Sequence, residues 1–133
     1  SFKSYINGNI HTLTPELSIQ IQKSLGPDLV VVLDECTAFH VDKSYTEKSM
    51  LMSHRWGDRC LVEFEKSNDG KQALYGISQG GIYKDLRLTS VEYLNQSSYF
   101  GHAIGGSLGA SKEQMYEVVD IATENLRKDR PIH

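Results

Sequence analysis

The chain has 133 residues, 39% hydrophobic and 23% charged, a composition typical of folded globular domains that excludes a disordered chain. Its formal net charge of -3, from 14 basic and 17 acidic residues, lacks the basic excess common in nucleic-acid-binding proteins. Two cysteines, Cys36 and Cys60, are too few for a disulfide framework and predict a reducing, cytoplasmic setting, and the longest apolar run, 29–33, is far too short to span a membrane.

The first third of the chain predicts a lead-in, a helix and a buried strand. Residues 1–13 are expected to be irregular. Thr14 and Pro15 open a helix, because a hydroxyl N-cap and a proline at the first helical position are both favoured, and Gly26 ends it. Its predicted apolar face is Leu17, Ile21 and Leu25. Residues 29–33 are β-branched and apolar without alternation, which predicts a strand buried on both faces of a parallel sheet.

The rest of the chain predicts loops and helices alternating with two further strands. Capping boxes start helices at Ser44 and Ser111, the first running to about Lys66. Gly57 inside that helix predicts close packing, since glycine there costs stability. The other predicted elements are a turn at 67–70, strands at 73–77 and 101–104, and a helix at 83–95. The chain is therefore predicted to be an α/β protein with about three βα units and parallel strands.

Each predicted strand ends in residues that suit a site better than a scaffold: Asp34-Glu35-Cys36, Gln79-Gly80-Gly81 and Gly105-Gly106-Ser107. The carboxyl ends of parallel strands collect active sites, so these segments are expected to meet over one pocket. A carboxylate accepts hydrogen bonds, an amide and backbone N–H groups donate them, and glycine lets a ligand approach the backbone. This set suits the edge of a heterocyclic base.

Each of these motifs also has a structural interpretation. Asp34 could cap a loop, the glycine pair at 80–81 could simply turn the chain, and Cys36 could be an inert buried thiol. The glycines of 105–109 before a capped helix resemble a phosphate-binding loop, although they lack the Walker lysine. The five histidines share no metal-ligand spacing, so no zinc site is predicted within this chain.

An ordered series of short motifs resembles one enzyme family across nearly the whole chain. The motifs are 13–16, 33–37, 55–56, 59–60, 74–77, 79–81, 85–87, 103–106 and 129–131. Their combination resembles the tRNA-guanine transglycosylases, or queuine tRNA-ribosyltransferases. The resemblance implies that residues 1–133 are a central fragment of a catalytic (β/α)8 TIM-barrel domain, with the zinc subdomain and the remaining barrel units absent.

The resemblance also implies a reaction and roles for residues. The family are pentosyltransferases of queuosine synthesis, which replace guanine in a tRNA anticodon loop by queuine or 7-aminomethyl-7-deazaguanine through a covalent ribosyl-enzyme intermediate. Asp34 corresponds to the base-binding aspartate and a candidate for proton transfer. Gln79 and the N–H of Gly106, after Gly105, correspond to the groups that bind the base's carbonyl oxygen, and the Ser107 carbonyl would accept from its exocyclic amine.

Two pocket positions bear on which base is used. Cys36 matches the bacterial pattern for 7-aminomethyl-7-deazaguanine, whereas Gly109 matches a eukaryotic-type pattern that leaves room for a larger substituent, which favours queuine. The nucleophilic aspartate and the zinc ligands are expected outside these residues, and the full-length enzyme is expected to be a homodimer or heterodimer. The fragment alone is then predicted to be inactive.

Two other functions remain open from the sequence. The first is a non-catalytic paralogue or partner-binding subunit of the same fold. The second, which ignores the resemblance, is a generic α/β module that binds phosphates or nucleotides at 105–109.

Overall fold

The computed structural model describes residues 1–66 and 68–133 and contains nine helices and strands within them. In chain order these are β1 (Phe2–Lys3), β2 (Ile10–His11), α1 (Pro15–Leu25), β3 (Leu29–Val31), α2 (Lys43–Glu65), β4 (Ala73–Ser78), α3 (Lys84–Gln96), β5 (Gly101–Ile104) and α4 (Lys112–Asn125). The predicted turn at 67–70 begins at Ser67, which lies outside the described residues.

Three parallel strands form the main sheet, in the order β3-β4-β5. Val30 pairs with Leu74, and Tyr75 pairs with Gly101. Parallel neighbours need a crossover connection, and α2 and α3 provide the two crossovers. The predicted alternation of parallel strands and helices is confirmed.

One face of the sheet carries the core, and the other is open. Val30 is fully buried, whereas Leu29 and Val31 on the opposite face are 53% and 37% exposed. The prediction that this strand is buried on both faces is wrong for the described residues, because helices cover only the Val30 side. The open face lines an apolar cavity of about 370 Å³ between Leu29, Val31, Tyr75, Ala103, Ile132 and His133.

The capping residues of the helices are largely those predicted, and one of them needs correction. The Thr14 hydroxyl accepts from the Leu17 N–H at 3.2 Å, and Gly26 adopts a left-handed φ of 72° at the end of α1. Helix α2 begins earlier than predicted. Its N-cap is Asp42, whose carboxylate accepts from the Tyr45 N–H at 2.7 Å. Aspartate is as good an N-cap as serine, and because Asp42 lies two residues before Ser44 the helix begins there.

Two further expectations about the first 25 residues are wrong. The lead-in contains a short antiparallel hairpin, β1–β2, whose turn includes Gly8 at a φ of 74°. The face of α1 that was expected to be buried is exposed, and Ile19 instead makes the core contact. The core cluster of Ile19 includes Val30, Cys60, Phe64, Leu74, Val91, Leu94, Tyr99, Ala122 and Leu126.

Gly57 shows the close packing that its position in a helix predicted. A Cβ atom there would lie 2.6 Å from the Tyr99 hydroxyl and 2.9 Å from the Tyr93 hydroxyl.

No helix within the described residues is long and apolar enough to cross a membrane.

Candidate functional site

The three predicted strand ends lie together at the carboxyl edge of the sheet. The Gln79 side-chain amide donates to the Asp34 carboxylate, with 2.5 Å between Nε2 and Oδ2. Gly106 lies so close that a Cβ atom there would collide with the Oε1 atom of Gln79. A carboxylate after β3, an amide after β4 and bare backbone after β5 thus occupy one place, as the sequence predicted.

Asp34 is a partly buried carboxyl whose surroundings disfavour its charged form. It is half-buried, and this burial raises the pKa of its carboxyl above the ordinary value. The hydrogen bond from Gln79 opposes the rise, because it stabilises the charged form. A partly buried carboxyl with a raised pKa is a candidate for proton transfer as well as for ligand binding.

Gln79 is held from behind by a chain of polar contacts. Its backbone N–H donates to the Ser90 hydroxyl of α3 at 2.9 Å, and that hydroxyl lies 2.8 Å from Nε2 of His54 in α2. The His54 ring stacks on Tyr93 with 4.1 Å between ring centroids. Desolvation lowers the pKa of His54 to about 4, so the ring is neutral at pH 7. Sequence reasoning missed Ser90 and His54, because no local motif links them to Gln79.

The glycines of both loops are required by backbone conformation and by space. Gly106 adopts a φ of 72°, where side chains are disfavoured. A Cβ at Gly105 would collide with Ile77 of β4. Gly80 combines a φ of 119° with a Cβ position 2.8 Å from the backbone of α3. Both glycine pairs therefore build the loops that present Gln79 and the Gly106 N–H.

Gly109 has a structural reason to be glycine beside the predicted role in the pocket. Its φ is 98°, and a Cβ atom there would lie 2.6 Å from the Cβ of Gln114 in α4 and 3.1 Å from Ile82. The space beside Gly109 is thus filled by protein. Backbone geometry and packing therefore favour glycine here, and the expectation that Gly109 leaves room for a larger substituent stays a prediction.

Ser107 and Cys36 lie at the rim of the same region. The Ser107 carbonyl accepts a hydrogen bond of 2.8 Å from Arg87, which leaves its second lone pair for another donor. Cys36 is an exposed free cysteine rather than a buried one, and its thiol lies within electrostatic reach of Arg87.

Arg87 is a second group that sequence reasoning missed. Its side chain is fully buried and donates to four carbonyl oxygens, those of Ser78 at the end of β4 at 3.2 Å and of the loop residues Gly81 at 2.7 Å, Gly105 at 2.7 Å and Ser107 at 2.8 Å. Burial lowers the pKa of the guanidinium to about 10, so it remains charged at pH 7. In the sequence, Arg87 contributes only to the family resemblance, through the motif 85–87.

The arrangement of the 105–109 loop disfavours a phosphate site. A phosphate cradle needs several backbone N–H groups that point at one anion. Here the Gly105 N–H donates to the Ser78 carbonyl, and the Ala110 N–H donates to the Gln114 side chain at 2.8 Å. The Ser111 hydroxyl caps α4 through the Gln114 N–H. These donors are therefore already used within the fold.

Within residues 1–66 and 68–133, no three His, Cys, Asp or Glu side chains lie together in a way that could hold a metal ion. The groups that meet at this edge include a carboxyl, an amide, backbone N–H and C=O groups and the buried guanidinium, with the Cys36 thiol at the rim.

Comparison with known proteins identifies the family. The model of the family described as "Queuine tRNA-ribosyltransferase" matches residues 1–133. The chain is 43% identical over 141 aligned positions to the queuine tRNA-ribosyltransferase of Roseiflexus sp., covering 99% of this chain and 35% of that protein. It is 43% identical to that of Thermodesulfovibrio yellowstonii over 98% of this chain and 34% of the relative. It is 40% identical to the putative queuine tRNA-ribosyltransferase of Archaeoglobus fulgidus over 99% of this chain and 32% of the relative.

The chain thus spans about a third of the length of the curated relatives it matches. The match is continuous from Ser1 to His133 and includes all three strand-end segments. The chain belongs to the queuine tRNA-ribosyltransferase family.

Proposed function

We propose that this protein exchanges guanine in a tRNA anticodon loop for a deazaguanine, and that this chain supplies the base-binding part of the site. The incoming base is queuine or 7-aminomethyl-7-deazaguanine. The observation that carries the proposal is the meeting of Asp34, Gln79 and Gly106 at one edge of the sheet. Family membership supports the choice of reaction.

The three groups offer a pattern of acceptors and donors that is complementary to guanine. The Asp34 carboxylate has about four lone-pair positions, and the bond from Gln79 uses one of them. The Gln79 amide keeps a second N–H, and the Gly106 N–H has no acceptor within the described residues. Guanine presents N–H donors beside a carbonyl oxygen on its Watson–Crick edge, which fits this order, whereas adenine presents an acceptor nitrogen beside an amine. The site therefore selects guanine and deazaguanines with the same edge.

The exchange follows the double displacement of the family. A second aspartate, which we place outside these 133 residues, attacks the anomeric carbon of the ribose, and the glycosidic bond to guanine breaks. Guanine leaves with the bonding electron pair and takes up a proton. The corresponding nitrogen of the deazaguanine then loses its proton and attacks the same carbon, which releases the aspartate. Asp34 holds each base in turn, and its raised pKa makes it a candidate to exchange a proton with the N–H edge of the base that it binds.

The remaining features of the family complete the proposal. The three βα units are part of a (β/α)8 catalytic barrel, and a zinc subdomain elsewhere in the full-length protein completes the fold. The full-length protein acts as a dimer on tRNA. The 133 residues alone do not catalyse the exchange, because the nucleophile is outside them.

Exchange of labelled guanine into tRNA by the full-length protein tests the proposal. We expect exchange with guanine and none with adenine. Asp34→Asn should lower kcat/KM for guanine about a hundredfold or more, because the amide cannot accept from the same N–H groups without leaving donors unpaired. Asp120→Asn, at an exposed position of α4, is the matched control and should not change it. Guanine binding that depends on Asp34 without exchange would instead identify a non-catalytic paralogue.

A further inference from the structure

Arg87 is a buried charged residue whose hydrogen bonds all go to backbone carbonyl groups, unlike the apolar residues that usually fill a core. It is one of the largest fully buried side chains, and it carries a charge. Within the described residues it forms no salt bridge with a carboxylate. Burial of a cation without an opposite charge is expensive, and here only carbonyl dipoles compensate it. Such a cost is commonly retained where it serves a site.

The four residues whose carbonyls Arg87 binds flank Gln79 and Gly106, the two base-binding residues, in the sequence. Ser78 precedes Gln79 and Gly81 follows it by two residues, whereas Gly105 and Ser107 stand on either side of Gly106. One planar guanidinium therefore joins the loop after β4 to the loop after β5. A fork of fixed geometry is suited to this task, because its N–H directions are set by its plane.

We propose that Arg87 is the positioning residue of the base site, which fixes Gln79 and the Gly106 N–H in register to meet a single base. This inference rests on the proposed function. Arg87 does not touch the base itself. It acts through the two loops.

Peptide geometry shows how Arg87 orients the donor. The Gly105 carbonyl and the Gly106 N–H belong to one peptide group, which is planar and trans, so they point in opposite directions. Because the carbonyl is bound to Arg87 at 2.7 Å, the Gly106 N–H must point away from the guanidinium. The same holds for Ser78 and Gln79: the Ser78 carbonyl accepts from Arg87, and the Gln79 N–H donates in another direction, to Ser90.

The charge of Arg87 adds an electrostatic effect in the same direction. A cation bound to the oxygen of a peptide group polarises that group and makes its N–H a stronger donor. The Gly106 N–H is thereby prepared to bind a base carbonyl oxygen. The guanidinium lies directly behind Gly106, since a Cβ there would be 3.6 Å from Nη2.

The test compares Arg87→Lys and Arg87→Met with Val91→Ala in the full-length protein. Val91 is buried in the same helix one turn further on, so its truncation weakens α3 without changing a carbonyl contact. The measurements are kcat, KM for guanine, KM for tRNA and thermal stability. Arg87→Met should raise KM for guanine about ten- to a hundredfold, since misplacement of binding groups by about 1 Å has effects of this size. KM for tRNA should change much less.

Arg87→Lys should recover only part of the loss, because an ammonium has three N–H donors on one nitrogen and cannot replace a guanidinium that binds four carbonyls. Val91→Ala should lower stability and leave KM for guanine unchanged. An Arg87→Lys protein with wild-type KM for guanine overturns the inference, and this variant decides the matter if Arg87→Met does not fold. The same KM pattern in the Arg87 and Val91 variants also overturns it. A wild-type protein without guanine exchange overturns the proposed function and this inference together.

Discussion

Replacement of Gly57 by alanine has two opposite effects on stability: a gain in helix propensity and a steric clash. Gly57 lies in the middle of α2, where alanine would be favoured over glycine by about 1 kcal/mol of helix propensity. The added methyl group would lie 2.6 Å from the Tyr99 hydroxyl and 2.9 Å from the Tyr93 hydroxyl. Tyr99 is only 1% exposed, so its ring has little freedom to move aside.

The packing effect should win. Overpacking of a close-packed core typically costs about 1–3 kcal/mol. Movement of the hydroxyls also strains the bonds that Tyr93 makes to Tyr99, to Asp58 and to the His54 carbonyl, each 2.9 Å long, and a lost hydrogen bond costs about 1 kcal/mol. After the gain in propensity, we expect Gly57→Ala to lower the free energy of unfolding by about 1–3 kcal/mol.

Denaturant unfolding of the single and double variants tests this reasoning. Tyr99→Phe removes the nearest oxygen, so Gly57→Ala should be less harmful in that background, with a coupling of about 1 kcal/mol. Lys48→Ala, at an exposed position of α2, measures the effect of an alanine in this helix without a packing change. A Gly57→Ala protein that is more stable than wild type, or one that Tyr99→Phe does not improve, would refute the argument.

Three further predictions concern the site and its support. The fold lowers the pKa of His54 from 6.5 to about 4. The free energy of unfolding should therefore decrease by up to about 3 kcal/mol as pH falls from about 6.5 to about 4. His54→Gln should remove this part of the pH dependence of the melting temperature. Guanine affinity, measured by calorimetry, should fall as pH drops through the raised pKa of Asp34, because the protonated carboxyl loses acceptor capacity, whereas in Asp34→Asn affinity should be weak at every pH. Gly109→Ala should lower kcat/KM for guanine and for queuine by similar factors if its main effect is to distort the loop, whereas a selective loss of queuine would support the prediction that Gly109 makes room for its substituent.

The parts of the fold that the sequence predicts are those controlled by neighbours along the chain. The cap at Thr14, the end of α1 at Gly26 and the strand predicted at 73–77 follow from local chemistry, and the structure confirms them, with the strand one residue longer. The choice between Asp42 and Ser44 as N-cap of α2 depends on competition between two good capping residues, which sequence alone does not resolve. The exposure of Leu29 depends on what covers the sheet, and local sequence carries no information about that.

The candidate site divides in the same way. The meeting of Asp34, Gln79 and Gly106 could be predicted, because parallel strands place their carboxyl ends at one edge. The supports of these groups could not. Ser90 contacts the Gln79 backbone from 11 positions away, and His54 contacts Ser90 from 36 positions away. Such contacts depend on how helices pack on the sheet, and a single sequence does not encode that in any short motif.

Two of the supports found in the structure, Arg87 and Ser90, share helix α3, and this explains how they act together. Arg87 and Ser90 are three residues apart in α3, so they lie on the same face of the helix, which is the face toward the ends of β4 and β5. Ser90 binds the N–H of Gln79, while Arg87 binds the carbonyls on either side of it. Both kinds of backbone group around Gln79 are thus fixed by a rigid element rather than by the loop itself. A loop built from glycines has little conformational preference of its own, so α3 must supply the order that a base-reading site needs.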